Sequence, residues 1–143
     1  MSEKTDSGAL FNELLKTMRK LRAPNGCKWD REQTHESLIK CLQEEAGEVI
    51  EAIKNKDDDN LQEELGDLLL QAVFHAAIAE EEGRFNIGEV IDGLNQKLIR
   101  RHPHVFGEAK AATPEEALQQ WKAIKQKEKE LKNLKKSNKQ GEN

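Results

Sequence analysis

From Leu10 onward, apolar residues recur at helical spacing, and Phe11, Leu14, Leu15, Met18 and Leu21 extend one face. Pro24-Asn25-Gly26 ends this first helix with turn chemistry. A second helix is predicted from Thr34 to about Lys54, with Leu38, Leu42, Val49 and Ile53 on one side. Asn55 to Asn60 reads as a short acidic turn in which Asp59 or Asn60 caps a third helix. That helix runs to about Glu82 and stops at Gly83. Asn86, with Glu89 three residues on, opens a fourth that ends near Arg101. After an irregular stretch from His102 to Ala112, Thr113-Pro114-Glu115-Glu116 combines an N-cap, a proline at N1 and a glutamate at N3. The last helix carries Leu118, Trp121 and Ile124, and its apolar face fades after about Leu134. No strand is predicted. The pattern therefore predicts an all-α fold, an antiparallel bundle of about five helices over residues 10–130. A flexible N-terminus (1–9) and a flexible polar tail (131–143) are expected to flank it.

Composition changes this picture in one respect. Of 143 residues, 36% are hydrophobic but only 4% aromatic, and there is no Tyr. Aromatic side chains bury the most area each, so so thin an aromatic content predicts a core completed by a second copy of the chain. The net charge of −4 argues against a nucleic-acid polymer as partner. Two cysteines, Cys27 and Cys41, make no disulfide framework or CxxC motif. With no signal peptide or long apolar run, the expectation is a cytoplasmic chain without a membrane partner.

The chemistry lies in Glu44-Glu45-Ala46-Gly47-Glu48 and Glu63-Glu64-Leu65-Gly66-Asp67. Residues three apart on a helix share a face, so Glu45 pairs with Glu48 and Glu64 with Asp67. Two helices joined by a short turn pack antiparallel, which can bring both pairs to one seam. Glu45 falls within the apolar face set by Leu38, Leu42, Val49 and Ile53, Glu48 at its edge and Glu44 further out. The third helix is apolar almost all round, which predicts burial. Glu64, Asp67, Gln71 and His75 nevertheless form a polar stripe along it. Carboxylates turned toward a buried seam are costly unless protonated or compensated by a cation. Four oxygen donors suit a hard divalent ion such as Mg²⁺, which binds through carboxylates and substrate phosphates and can polarise a phosphoryl group. One ExxE pair alone is an ordinary solvated helix face; two pairs on the apolar sides of adjacent helices are not. His75 is read as a hydrogen-bonded seam histidine rather than a ligand. A di-iron bundle needs two Glu-x-x-His motifs, and only Glu32 to His35 fits that spacing.

The fourth helix ends in Lys97, Arg100 and Arg101, followed by His102-Pro103-His104. Cations in a last turn complement the helix dipole. Lys97 and Arg101, four apart, also form a candidate clamp for a polyphosphate, with Arg100 three residues from Lys97. Trp29 and Trp121 are candidates both for core anchors and for stacking on a base.

These residues resemble a known family. Leu21 to about Lys129 is similar to the single-domain MazG proteins of the all-alpha nucleoside triphosphate pyrophosphohydrolase superfamily. The likeness rests on Leu21 to Asp30, Glu32 to Leu38, Glu44 to Ile53, Glu63 to His75, and Arg100-Arg101-His102-Pro103-His104-Val105-Phe106. Lys28, Cys41 and Gly47 depart from residues common in the family. The resemblance implies hydrolysis of nucleoside triphosphates to a monophosphate and pyrophosphate. It implies Mg²⁺, with Mn²⁺ as substitute, on Glu45, Glu48, Glu64 and Asp67. Glu44 and Glu45 would act catalytically, Glu44 from an outer position or on water. Lys97, Arg100 and Arg101 would contact phosphates and Trp121 the nucleotide. A homodimer or higher homo-oligomer is implied as well. The alternative is a non-catalytic helical module that binds nucleotides or proteins.

Overall fold

Among residues 6–141, which the computed structural model describes, every regular element is a helix. Helix α1 (Ser7–Arg22) is capped by Asp6, whose carboxylate accepts from the Ala9 amide at 3.1 Å. The chain then doubles back at Gly26, where a Cβ would sit 2.3 Å from the Lys20 and Leu21 carbonyl oxygens. No larger residue fits that approach, and the Cys27 amide donates to Leu21 O at 2.8 Å.

Two short helices add to the five expected, α2 (Lys28–Glu32) and, further on, α6 (Pro103–Phe106). Helix α3 (Ile39–Lys54) begins at Ile39 rather than at Thr34. The reason is local: Thr34 Oγ1 accepts from the Ser37 amide, and Ser37 Oγ accepts from the Thr34 amide, at 3.1 and 2.8 Å. Side chains that bond nearby backbone this way compete with helix. Helix α4 (Asp58–Glu81) is capped by Asp57, two or three residues before the expected position, through the Asn60 amide at 3.2 Å. It closes at Gly83, whose φ of +71° suits only glycine well.

Helix α5 (Ile87–Arg100) starts with Asn86 Oδ1 accepting from the Glu89 amide at 3.0 Å. Helix α7 (Pro114–Gly141) starts with Thr113 Oγ1 accepting from Glu116, whose carboxylate reaches back to the Ala112 amide at 2.7 Å. Helical geometry continues to Gly141, past Leu134 where the apolar face fades. Lys, Leu and Gln in that stretch are good helix formers, and all its side chains are exposed.

The chain forms two compact units, one ending at Val90 and the other starting at Ile91. In the first, α3 and α4 pack along each other, joined by the turn at Asn55–Asp57, and α1 lies against α4. Met18, Leu38, Val73, Phe74 and Ile78 form the buried core, flanked by Phe11, Leu14, Leu15, Cys41 and Leu70. Arg22 seals one side, its guanidinium 5.4 Å from the Phe74 ring centroid and 2.8 Å from the Glu81 carboxylate.

The expected all-round burial of the third helix holds only for its second half. Gln71 and Val73 to Ala79 carry the buried positions of α4, whereas Leu65 and Leu69 are 49% and 45% exposed. The core residues that α4 contributes, Val73, Phe74 and Ile78, lie on that second half. Ile50 and Ile53 of α3 are exposed likewise. In the second unit, the end of α5 and the adjoining Arg101 meet α7, with Arg100 and Arg101 on Glu128 and Arg101 over the Trp121 ring. No helix among the described residues is long and apolar enough to cross a membrane.

Candidate functional site

The antiparallel run of α3 against α4 places Glu45 opposite the first turns of α4. Glu45, Glu64 and Asp67 each offer a carboxylate oxygen, and the three atoms lie within 4.8 Å of one another. All three side chains are half-buried. Glu48 is exposed and lies outside this trio, yet its charge is among those that raise the Glu64 carboxyl. Glu44 points to solvent, with Lys40 Nζ 3.9 Å from its carboxylate.

Burial first, and then the charges of Glu48, Asp67 and Glu45, raise the Glu64 carboxyl above its ordinary value. Among the described residues no Lys, Arg or His forms an ion pair with Glu45, Glu48, Glu64 or Asp67. The donor set is therefore hard oxygen only, anionic in excess and without a protein counter-charge. That combination fits a divalent Mg²⁺-type ion and does not fit a soft metal, which prefers sulfur or imidazole.

Further along α4, the polar stripe turns inward. Gln71 is buried, with its Oε1 unpartnered among the described residues, as is His75 Nε2. His75 Nδ1 lies 2.7 Å from His35 Nδ1, and Arg84 reaches the other face of the pair through His35 Nε2. His75 is thus a hydrogen-bonded seam histidine, and the residue that holds it comes from the Thr34–Ser37 turn. Burial and the neighbouring His35 push the His75 imidazole below its usual value.

The basic candidates assemble in the second unit. Arg101 Nε donates to Glu128 Oε2 at 2.8 Å, and Arg100 pairs with Oε1 of the same carboxylate. Burial raises the Glu128 carboxyl, but the hydrogen bonds and charges of Arg101 and Arg100 outweigh it and hold the group below its ordinary value. Trp121 is half-buried and carries two cations, Arg101 at 5.2 Å and Lys125 at 4.8 Å from its ring centroid. Lys97, Arg100, Arg101, Lys125, Glu128, Lys129 and Lys132 line a groove of about 350 Å³. Trp29, the other tryptophan considered, is 57% exposed in the first unit.

Sequence reasoning overlooked Lys125, Glu128, Lys129 and Lys132. The signal was present: positions 121, 125, 128 and 132 recur at four, three and four residues, one face of a helix. It was masked because the surrounding segment is uniformly charged. His35 was overlooked as a partner of His75 because the turn that presents it read as the first turn of a helix.

Residues 33–106 match the model of the MazG nucleotide pyrophosphohydrolase domain. The chain is 58% identical over 124 residues to the nucleoside triphosphate pyrophosphohydrolase/pyrophosphatase MazG of Thermotoga maritima, covering 87% of this chain and 47% of that protein. It is 46% identical over 119 residues to the nucleoside triphosphate pyrophosphohydrolase of Escherichia coli (strain K12), covering 82% of this chain and 45% of that one. The chain thus spans about half the length of these curated relatives. A crystal structure of a mazG-related protein from Thermotoga maritima superposes with a TM-score of 0.66 at 34% identity. That match covers 80% of this chain and 98% of the other.

Proposed function

Because this chain belongs to the MazG nucleotide pyrophosphohydrolase domain family, we propose that it hydrolyses nucleoside triphosphates to a nucleoside monophosphate and pyrophosphate. The observation that carries the proposal is the convergence of Glu45, Glu64 and Asp67 within 4.8 Å, with no ion-pair partner among the described residues. Glu45, Glu64 and Asp67, with Glu48 beside them, would hold Mg²⁺, or Mn²⁺ in its place. When bound, such an ion polarises phosphoryl oxygens and lowers the pKa of a coordinated water.

The chain's own residues supply the rest. Glu45 is half-buried beside the other carboxylates and is assigned to hold both ligand and water in place. Glu44, exposed on the next position of α3, is assigned to orient the attacking water from outside. Lys97, Arg100 and Arg101 neutralise the triphosphate, the arginines as planar forks and the lysine as a point charge. Trp121, its ring already an acceptor for two cations, is assigned to the nucleotide.

A homodimer or higher homo-oligomer is part of the proposal. Leu65, Leu69, Ile50 and Ile53 are each about half exposed, which a second copy would cover. The compartment proposed is the cytoplasm, where thiols such as Cys27 and Cys41, both free, stay reduced. A panel of nucleoside triphosphates incubated with Mg²⁺, scored for pyrophosphate and monophosphate, tests the reaction and ranks substrates. A chain that binds nucleotide but releases no pyrophosphate is a binding module instead.

A further inference from the structure

Among the described residues Glu128 is the only carboxylate lining the basic groove, against six cations. Its two oxygens are divided between two guanidinium groups: Oε2 accepts from Arg101 at 2.8 Å, and Oε1 pairs with Arg100. Side-chain exposure is 14% for Arg101 and 22% for Glu128, so this pair is shielded from water and stronger than an ordinary surface ion pair. The lysines differ. Among the described residues no carboxylate pairs with Lys97, Lys125, Lys129 or Lys132. The groove therefore offers open point charges along its length and two arginine forks already filled by an internal anion.

We propose that Glu128 acts as an internal phosphate mimic that sets a threshold for anion length: it occupies the Arg100 and Arg101 forks against short phosphates and yields them to a longer polyphosphate anchored on Lys125, Lys129 and Lys132. This deepens, and rests on, the reading of the groove as a phosphate site. Phosphate and Glu128 compete for the same two forks. A short anion that displaces Glu128 gains two forks but must break two charge-assisted pairs and leave a half-buried carboxylate without partners. A longer chain is first held by the lysines, which raises its effective concentration at the forks. The open lysines at 129 and 132 lie one and four residues beyond Glu128 on α7, so they extend the groove past the forks. Such a threshold favours triphosphate over pyrophosphate, which limits trapping of the product. Glu128 works through the arginines and is a positioning residue.

The test is calorimetric titration of the full chain in EDTA with inorganic tripolyphosphate and with inorganic pyrophosphate, at one ionic strength. Metal is absent, so the carboxylates on α3 and α4 contribute no phosphate binding. The wild type should prefer tripolyphosphate. Glu128→Gln should tighten pyrophosphate binding by about tenfold and tripolyphosphate less, so the preference narrows. Glu128→Asp should keep the preference. Lys129→Gln with Lys132→Gln, both on exposed positions, should weaken tripolyphosphate selectively. A preference unchanged in Glu128→Gln, or both anions weakened equally with helicity intact, overturns the proposal. If the lysine pair weakens both anions alike, the length argument fails. No binding of either anion by the wild type overturns the groove reading along with it, whereas binding that ignores Glu128 overturns this inference alone.

Discussion

The Nδ1 atoms of His35 and His75 lie 2.7 Å apart, and their rings stack within 4° of parallel at a centroid separation of 5.0 Å. At that distance one Nδ1–H donates and the other nitrogen must accept, so the pair cannot carry a proton on both facing atoms. Burial and the nearby His35 lower the His75 value, and the Arg84 guanidinium on His35 Nε2 adds positive charge to the cluster. A histidine whose folded value is depressed favours the neutral form. Its contribution to stability is present above the unfolded value of about 6.5 and is lost as pH falls through that region. Thermal melts across this range should show a falling Tm toward acid, and His75→Gln should flatten the slope. An unchanged slope in that variant would remove His75 as the cause.

Glu64 carries the opposite sign. Glu64 is raised in the folded, metal-free protein by burial, then by Glu48, Asp67 and Glu45. Stability from its protonated form is present below its ordinary value and is lost as pH rises through the raised one. Repulsion among Glu64, Glu48, Asp67 and Glu45 therefore grows as Glu64 ionises in the metal-free chain. Mg²⁺ or Mn²⁺ should raise Tm near pH 7, and by less as pH drops into the carboxylate range. Glu64→Gln should raise the metal-free Tm and remove most of the metal increment. A metal increment that persists in that variant would place the ion elsewhere.

Much of this was legible from spacing. The polar stripe Glu64, Asp67, Gln71, His75 on an otherwise apolar helix marked the seam, and the capping residues Asn86 and Thr113 stand where their side chains bond the backbone. Positions set by competition between local and tertiary forces were not legible. Thr34 reads as a helix start but closes a turn with Ser37. The apolar run of α4 signals burial without saying what covers it, and in a single chain Leu65 and Leu69 stay half exposed. Glu128 was hidden because its whole segment is charged, so the helical face it shares with Trp121, Lys125 and Lys132 did not stand out.

Those exposed leucines separate two kinds of apolar position. Phe74→Ala, inside the core at 3% exposure, should cost about 3–5 kcal/mol in denaturant melts. Leu65→Glu with Leu69→Glu should leave the secondary structure intact and shift sedimentation toward a single chain, if a second copy covers this face. Sedimentation identical to wild type would argue that no such interface uses it.

The groove makes a kinetic prediction. Arg101→Ala removes one of the forks on Glu128 and one of the cations on Trp121. It should raise KM by about tenfold or more, since a charge-assisted contact is lost, while thermal stability changes modestly. A kcat loss at constant KM would assign Arg101 to the transition state alone.

The central claim is that Glu45 and Asp67, brought together with Glu64, drive release of pyrophosphate. Wild type, Glu45→Gln and Asp67→Asn should be incubated with Mg²⁺ and the preferred nucleoside triphosphate, and their products separated. Wild type should yield equal amounts of monophosphate and pyrophosphate, and each folded variant should lose activity on the order of 100-fold. Orthophosphate as the product, or full activity in both variants, would contradict it.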